Sequence, residues 1–275
     1  MNRKTIVLTG ASSGIGEAAA KIMTDEGHKL ITIDLQGPPP GSSQHIKCDL
    51  NDPKEIKQAV AQIEGNIDAL LNVAGVPGTL PGEVVIGVNV LGLRYLSDLL
   101  IPRLNKGGAI ANIASIGGFS WQRRIAEIND FLDTPDFSSG LAWWEAHKNE
   151  IKIDPYSFSK ECVVVLTMRQ AGLTLGRGAR ANSVSPGPVE TSLLPDFKRQ
   201  MGEDQLEWVI NTIGRAAQPK DIAEVLCFLA TGPSTWVSGR DIIVDGGYSA
   251  GITARWIDPS DAPVRHAKTN KAEKN

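Results

Sequence analysis

The stretch Ile6-Val7-Leu8-Thr9-Gly10-Ala11-Ser12-Ser13-Gly14-Ile15-Gly16-Glu17 decides the fold of this chain. Ile6-Val7-Leu8 is short, apolar and β-branched, as a buried parallel strand requires. Thr9 to Gly16 is a glycine-rich turn, and Glu17 to Met23 reads as a helix with a small-residue face. Strand, glycine turn and helix in that order are the context a dinucleotide-binding fingerprint needs. Glycines let backbone N–H groups approach a pyrophosphate, and the helix N-terminus adds positive potential. The spacing across Gly10, Gly14 and Gly16 is G-x-x-x-G-x-G rather than G-x-G-x-x-G.

Working outward, Lys29 to Asp34 is the second strand and ends in an acid. Asp34 stands 20 positions after Gly14, where a carboxylate meets a ribose 2′-OH and repels a 2′-phosphate. That selects NAD over NADP. Further strands are expected at Gln44 to Lys47, Ile67 to Val73, Ala109 to Ser115, Arg180 to Ser185 and Asp241 to Val244. Helices are expected from Pro53, over Val84 to Leu104, Tyr156 to Leu175 and Pro219 to Ala230, with prolines at first-turn positions. The alternation argues an α/β fold: one doubly wound domain on a parallel seven-stranded sheet.

Composition narrows the function. The chain has 275 residues, 41% hydrophobic and 21% charged, with net charge −3 and no basic run. Those values suit a soluble globular protein and argue against a nucleic-acid partner. The N-terminal apolar run is too short for a signal-peptide core or a membrane span, so no membrane association and a cytoplasmic location are expected. Cys48, Cys162 and Cys227 lack CxxC spacing and read as reduced, buried thiols. His28, His45, His147 and His266 form no ligand set, so no metal site is expected.

Chemistry enters at Pro155-Tyr156-Ser157-Phe158-Ser159-Lys160. Residues at i and i+4 share a helix face, so the Lys160 ammonium can lie beside the Tyr156 phenol. A phenol with a reference pKa of about 10 is a poor base near neutrality. A neighbouring cation favours the phenolate, and a shift of about 3 units needs roughly 4 kcal/mol. That is large for one lysine; an oxidised nicotinamide ring would add a second positive charge. If the chain holds a nicotinamide dinucleotide, Tyr156 is its acid/base.

In order, Thr9-Gly10-x3-Gly14-Ile15-Gly16, Asp49-Leu50, Asn72-Val73-Ala74-Gly75, Asn89, Ser115, Tyr156-x3-Lys160, Ser185-Pro186-Gly187-Pro188-Val189-Glu190-Thr191 and Asp245-Gly246-Gly247 resemble the short-chain dehydrogenase/reductase family over nearly the whole chain. The resemblance implies a catalytic set of Ser115, Tyr156, Lys160 and Asn89. Tyr156 would be the acid/base, Lys160 would lower its pKa and hold the nicotinamide ribose, and Ser115 would hydrogen-bond the substrate oxygen. Asn89 would hold a proton-relaying water. It implies cofactor contacts at Gly10, Ser12, Ser13, Gly14, Ile15, Gly16 and Asp34, and at Asp49 and Leu50 beside the adenine. Asn72 would fix the central strand or the adenosine ribose, next to Ala74 and Gly75. Pro186, Gly187, Val189 and Thr191 would position the nicotinamide, alongside Tyr156 and Lys160.

Ser115 and Tyr156 stand 41 positions apart, more than most of the family shows, while Asn72 and Asn89 are only 17 apart. The extra stretch, about 120–154, carries Trp121, Phe131, Phe137, Trp143 and Trp144 and should form one or two helices. Such a layout is similar to the bacterial 3α-hydroxysteroid dehydrogenase/carbonyl reductase and coniferyl-alcohol dehydrogenase subgroup. The aromatics either cap a wide apolar pocket or hold the insertion onto the domain. Lying between the two helices that usually build the subunit interface, the insertion should obstruct the usual tetramer, so a homodimer or other homo-oligomer is expected. Residues 1–255 would be the NAD-binding domain, with a substrate lid at about 189–213 bearing Leu193, Leu194, Phe197 and Trp208. Residues 256–275 would be an extension with a disordered end.

The expected function is NAD-dependent interconversion of a hydroxyl and a carbonyl on a hydrophobic cyclic or aromatic small molecule. The same chemistry on a small polar or sugar-like alcohol, and a non-catalytic NAD sensor, stand as alternatives. Retention of Ser115, Tyr156, Lys160 and Asn89 weighs against the sensor.

Overall fold

A computed structural model describes residues 3–263; His266 and the tail from Lys268, expected to be disordered, lie outside them. In chain order the elements begin with β1 (Thr5–Thr9), α1 (Gly14–Asp25), β2 (Lys29–Asp34), β3 (Gln44–Lys47), α2 (Pro53–Ala61) and β4 (Ile67–Asn72). Then come α3 (Gly82–Ile86), a π turn (Gly87–Gly92), α4 (Leu93–Leu100) and β5 (Leu104–Ile113). The insertion contributes α5 (Ile125–Leu132) and α6 (Phe137–His147), ahead of α7 (Pro155–Thr174). The chain continues with β6 (Arg180–Pro186), α8 (Leu194–Met201), α9 (Glu203–Ile213), α10 (Pro219–Thr231), β7 (Asp241–Val244) and α11 (Tyr248–Ala254).

The seven strands form one parallel sheet in the order β3-β2-β1-β4-β5-β6-β7. Strands β1, β4 and β5 are apolar on both faces because helices cover both. One layer packs α1 and α10 on Ile6, Leu8, Leu71 and Val184. The other packs Ile56, Leu96 and Leu100, from α2 and α4, on Val7, Ile31 and Leu70. All three cysteines are buried and unpaired, as expected.

Two differences from expectation bear on the site. Strand β5 starts at Leu104, paired with Ile67, and ends at Ile113. Ser115 therefore lies beyond the strand and caps a 3₁₀ turn, its Oγ accepting from the Gly117 N–H at 3.1 Å. The expected helix over Val84 to Leu104 is interrupted by the π turn, which widens the backbone at Asn89. This stretch, Gly82–Arg103, is long and apolar enough to cross a membrane, but 72% of its most apolar window is buried within the fold.

The insertion is a satellite core seated on α7. Phe158, fully buried, packs between Phe131 at 5.7 Å, Trp143 at 6.1 Å and Trp144 at 5.7 Å between ring centres. Polar ties hold its rim: the Arg124 guanidinium pairs with the buried Glu161 carboxylate of α7. Arg169 pairs with Asp133 at 2.7 Å, and Arg94 donates to the Leu132 and Asp136 carbonyls. Of the two readings of the insertion aromatics, the structure shows the second: they fasten the insertion to the domain.

Candidate active site

A cavity of about 660 Å³ lies outside the carboxyl ends of the strands, where open α/β sheets place their ligands. Its floor is the crevice between β1 and β4, where the strand order reverses direction. The loops after these strands touch. Thr9 Oγ1 accepts from the Val73 and Ala74 N–H groups at 3.0 and 3.1 Å. Gly10 has φ +69°, and a Cβ there would stand 2.6 Å from Ala74 Cα, so a side chain would push the loops apart. Gly16 fits α1 against the same turn, since a Cβ would lie 1.8 Å from the Gly10 carbonyl oxygen.

The expected residues converge on this wall. Gly10, Ser13, Gly14, Ile15, Gly16, Asp34, Asp49, Leu50, Ser115, Tyr156, Lys160, Pro186, Gly187, Val189 and Thr191 all line it. Ala74 and Gly75 lie on the wall as well. Asp34 is fixed by backbone: its Oδ2 accepts from the Ser12 N–H and its Oδ1 from the Gln36 N–H, both at 3.0 Å. Ser12 thus spends its N–H on Asp34 and its hydroxyl on the Gly37 carbonyl, and it is off the wall.

Asn72 and Asn89 stand behind the wall. Asn72, 2% exposed, donates to Asn112 Oδ1 at 2.8 Å and Ser97 Oγ at 3.1 Å, which ties β4 to β5 and α4. Asn89 accepts from the Val76 N–H at 2.8 Å and donates to the Val76 carbonyl and Ser159 Oγ, both at 3.1 Å. It clamps the loop after β4 to the tyrosine helix.

Helix α7 starts where Asp154 caps it, accepting from the Ser157 N–H at 2.9 Å, with Pro155 in the first turn. Tyr156 is half-buried and shares a hydrogen bond with Ser115. Burial pushes its phenol up to about 12, against the pull of the Ser115 hydrogen bond and with a further push from the Asp154 charge. Lys160, 5% exposed, donates to the Ile113 carbonyl at 3.0 Å, and burial lowers its ammonium to about 8. In the protein chain by itself, burial outweighs the Ser115 hydrogen bond to the phenol.

The segment after β6 also lines the cavity. Leu193, Leu194, Phe197, Leu206 and Val209 reach it, and the Phe197 ring meets Tyr156 edge-on at 5.3 Å between centres. Trp208, expected in the lid wall, instead packs edge-on against Tyr248 at 6.1 Å. Trp121, Phe131, Phe137, Trp143 and Trp144 do not line the cavity. Asp154, Gln200, Met201 and Tyr248 do, unforeseen. The spacing 193/194–197–200/201 is a helical face that was readable in the sequence. Tyr248 offered no comparable signal.

Strand-end cavity, glycine turn and the Ser115–Tyr156–Lys160 cluster together make up the candidate site. The chain belongs to the short-chain dehydrogenase/reductase family. The short chain dehydrogenase model matches residues 4–126, and the enoyl-(acyl carrier protein) reductase model matches 140–249. A coniferyl-alcohol dehydrogenase from a Pseudomonas species is 34% identical over 91% of this chain and 98% of its own length. The 3-alpha-hydroxysteroid dehydrogenase/carbonyl reductase of Comamonas testosteroni is 28% identical over 89% and 96%. A 3-alpha-hydroxysteroid dehydrogenase from a Pseudomonas species, solved with NADH, superposes with a TM-score of 0.78 at 30% identity over 91% of this chain and 99% of that one.

Among the described residues no cluster of three or more His, Cys, Asp or Glu side chains is arranged to hold a metal ion.

Proposed function

We propose that this chain is an NAD-dependent alcohol dehydrogenase/carbonyl reductase acting on a hydrophobic cyclic or aromatic alcohol. The observation that carries the reading is that Ser115, Tyr156 and Lys160 line the same cavity as the glycine turn and Asp34. The residues fit a nicotinamide dinucleotide: the Gly10–Gly16 turn leaves backbone room for a pyrophosphate, and Asp34 offers a carboxylate to a ribose hydroxyl. A 2′-phosphate would meet that carboxylate at close range and be repelled, which favours NAD. When bound, the cofactor accepts or delivers the hydride.

The protein's part is orientation and proton transfer. Ser115 holds the substrate oxygen beside the Tyr156 phenol, and Tyr156 takes up or gives back the proton at that oxygen. Lys160 offers its charge 5.6 Å from the centre of the Tyr156 ring, and with the charge of an oxidised nicotinamide it draws the phenol down from its buried value. Asn89 ties Val76 to Ser159 behind the lysine through its side-chain amide. The lid's Leu193, Leu194, Phe197, Met201, Leu206 and Val209 make the substrate end apolar, which supports a ring-bearing substrate over a sugar.

The insertion covers the outer face of α7, so a homo-oligomer would assemble through another face of the molecule. The test is absorbance at 340 nm with NAD or NADP and paired alcohols. NAD reduction by cyclic and aryl alcohols is expected; reduction only with polyols, or none with NAD bound, would replace this reading with one of its alternatives.

A further inference from the structure

Asp154 both caps α7 and lines the cavity, beside Tyr156 and Ser157. Its Oδ1 accepts from the Ser157 N–H at 2.9 Å and from Gln200 Nε2 at 2.8 Å, and its Oδ2 from the Ser157 hydroxyl at 2.6 Å. All three donors are neutral, and among the described residues no ion pair involves this carboxylate. A bare helix start would draw anions with its free N–H groups. Here a side-chain carboxylate holds that place, so the start of α7 presents negative charge to the cavity. The rest of the lining offers an acid little: it includes no arginine and no histidine. Its one lysine, Lys160, is buried and donates to the Ile113 carbonyl. The Asp154 charge is felt at the reacting oxygen: burial raises the Tyr156 phenol and Asp154 raises it further, against the Ser115 hydrogen bond.

We propose that Asp154 is a specificity residue that sorts substrates by charge: the cavity takes ring alcohols that are uncharged or carry an ammonium group, and turns away those carrying a carboxylate or phosphate. The proposal rests on the alcohol-dehydrogenase reading above and fixes the charge class of its substrate. The carboxylate acts through its field, which reaches the phenol and therefore a ring whose oxygen is held there. Asp154 is exposed, so water and salt weaken that field without removing it. A partly screened unit charge in the same cavity is worth about threefold to fivefold in kcat/KM. Exchanging an anionic substituent for a cationic one counts the effect twice, about tenfold.

The test is NAD reduction by three benzyl alcohols that differ at the para position: 4-(aminomethyl)benzyl alcohol, 4-methylbenzyl alcohol and 4-(hydroxymethyl)benzoate. At about pH 7.5 the first is a cation and the last an anion. In the unmodified enzyme kcat/KM should fall in that order at low ionic strength, and the ratio of first to last should shrink in about 0.5 M salt. Asp154→Asn keeps an acceptor for the Ser157 N–H and loses the charge, so the helix start stays capped. There the ratio should drop about tenfold, and salt should no longer change it. A ratio that survives Asp154→Asn, a ratio insensitive to salt in the unmodified enzyme, or faster reaction of the carboxylate than of the methyl compound would each overturn the proposal. In those cases NAD reduction by 4-methylbenzyl alcohol leaves the wider functional reading standing; absence of NAD reduction by every alcohol sinks that reading and the proposal with it.

Discussion

Lys160 Nζ lies 5.6 Å from the centre of the Tyr156 ring while donating to the Ile113 carbonyl at 3.0 Å. The four-residue spacing brings the pair together on one face of α7. Burial shapes both groups, raising the phenol to about 12 and lowering the ammonium to about 8. Each group alone is pushed toward its neutral form, so the pair needs an added positive charge to yield a phenolate.

The lysine's burial has a measurable stability consequence. Its pKa is about 8 folded against 10.5 unfolded, so between those values the unfolded chain binds more protons. Stability contributed at this position therefore rises with pH across about pH 8 to 10.5 and is lowest below 8. The full swing is of order 3 kcal/mol. Lys160→Met should flatten this rise in urea melts between pH 7.5 and 10 and unfold no more easily than wild type at pH 7.5. An unchanged slope would mean that Lys160 titrates normally.

Tyr156→Phe keeps the ring that meets Phe197 and removes the proton-transfer atom. NAD-dependent turnover should fall by at least about a thousandfold, since the acid/base and the held substrate oxygen are lost together. NAD affinity by fluorescence titration should stay within a few fold. Turnover retained near wild type would take Tyr156 out of the mechanism.

Asp34 accepts from two backbone N–H groups, so its carboxylate is held in place before any ribose arrives. Asp34→Ala should weaken NAD binding and improve NADP binding, eroding the preference between them by roughly tenfold or more in kcat/KM, about the worth of one charge-assisted hydrogen bond. A preference unchanged by the substitution would move cofactor selection elsewhere, with Gln36 and Gly37 next in line.

Local periodicity made the sheet legible: the runs at Lys29–Asp34, Gln44–Lys47 and Asp241–Val244 are strands at those bounds. Tyr156 and Lys160 were legible from their i, i+4 spacing at a helix start, whereas Ser115 was legible only through the family resemblance. The π turn at Gly87–Gly92 was not: Asn89 within it bonds Val76 and Ser159, contacts that no local propensity announces. Nor was the destination of the insertion's aromatics, since composition marks them as buried without saying against what. Gln200 was missed for a related reason: its partners Asp154 and Gly78 lie 46 and 122 positions away, and only the fold brings them together.

Deleting the insertion would expose the whole cluster around Phe158, so a single truncation is the sharper probe of what the cluster does. Phe158 is fully buried among Phe131, Trp143 and Trp144, two residues after Tyr156 and on the opposite side of α7 from the cavity. Phe158→Ala removes a ring from a packed site and should cost about 3–5 kcal/mol in denaturant unfolding. Trp143→Ala, at a half-exposed position, should cost less. If the cluster only fastens the insertion, Phe158→Ala should leave the ranking of alcohols by kcat/KM unchanged at a temperature where the variant is folded. A reordered ranking without loss of stability would return these aromatics to substrate binding and overturn the structural role argued for them.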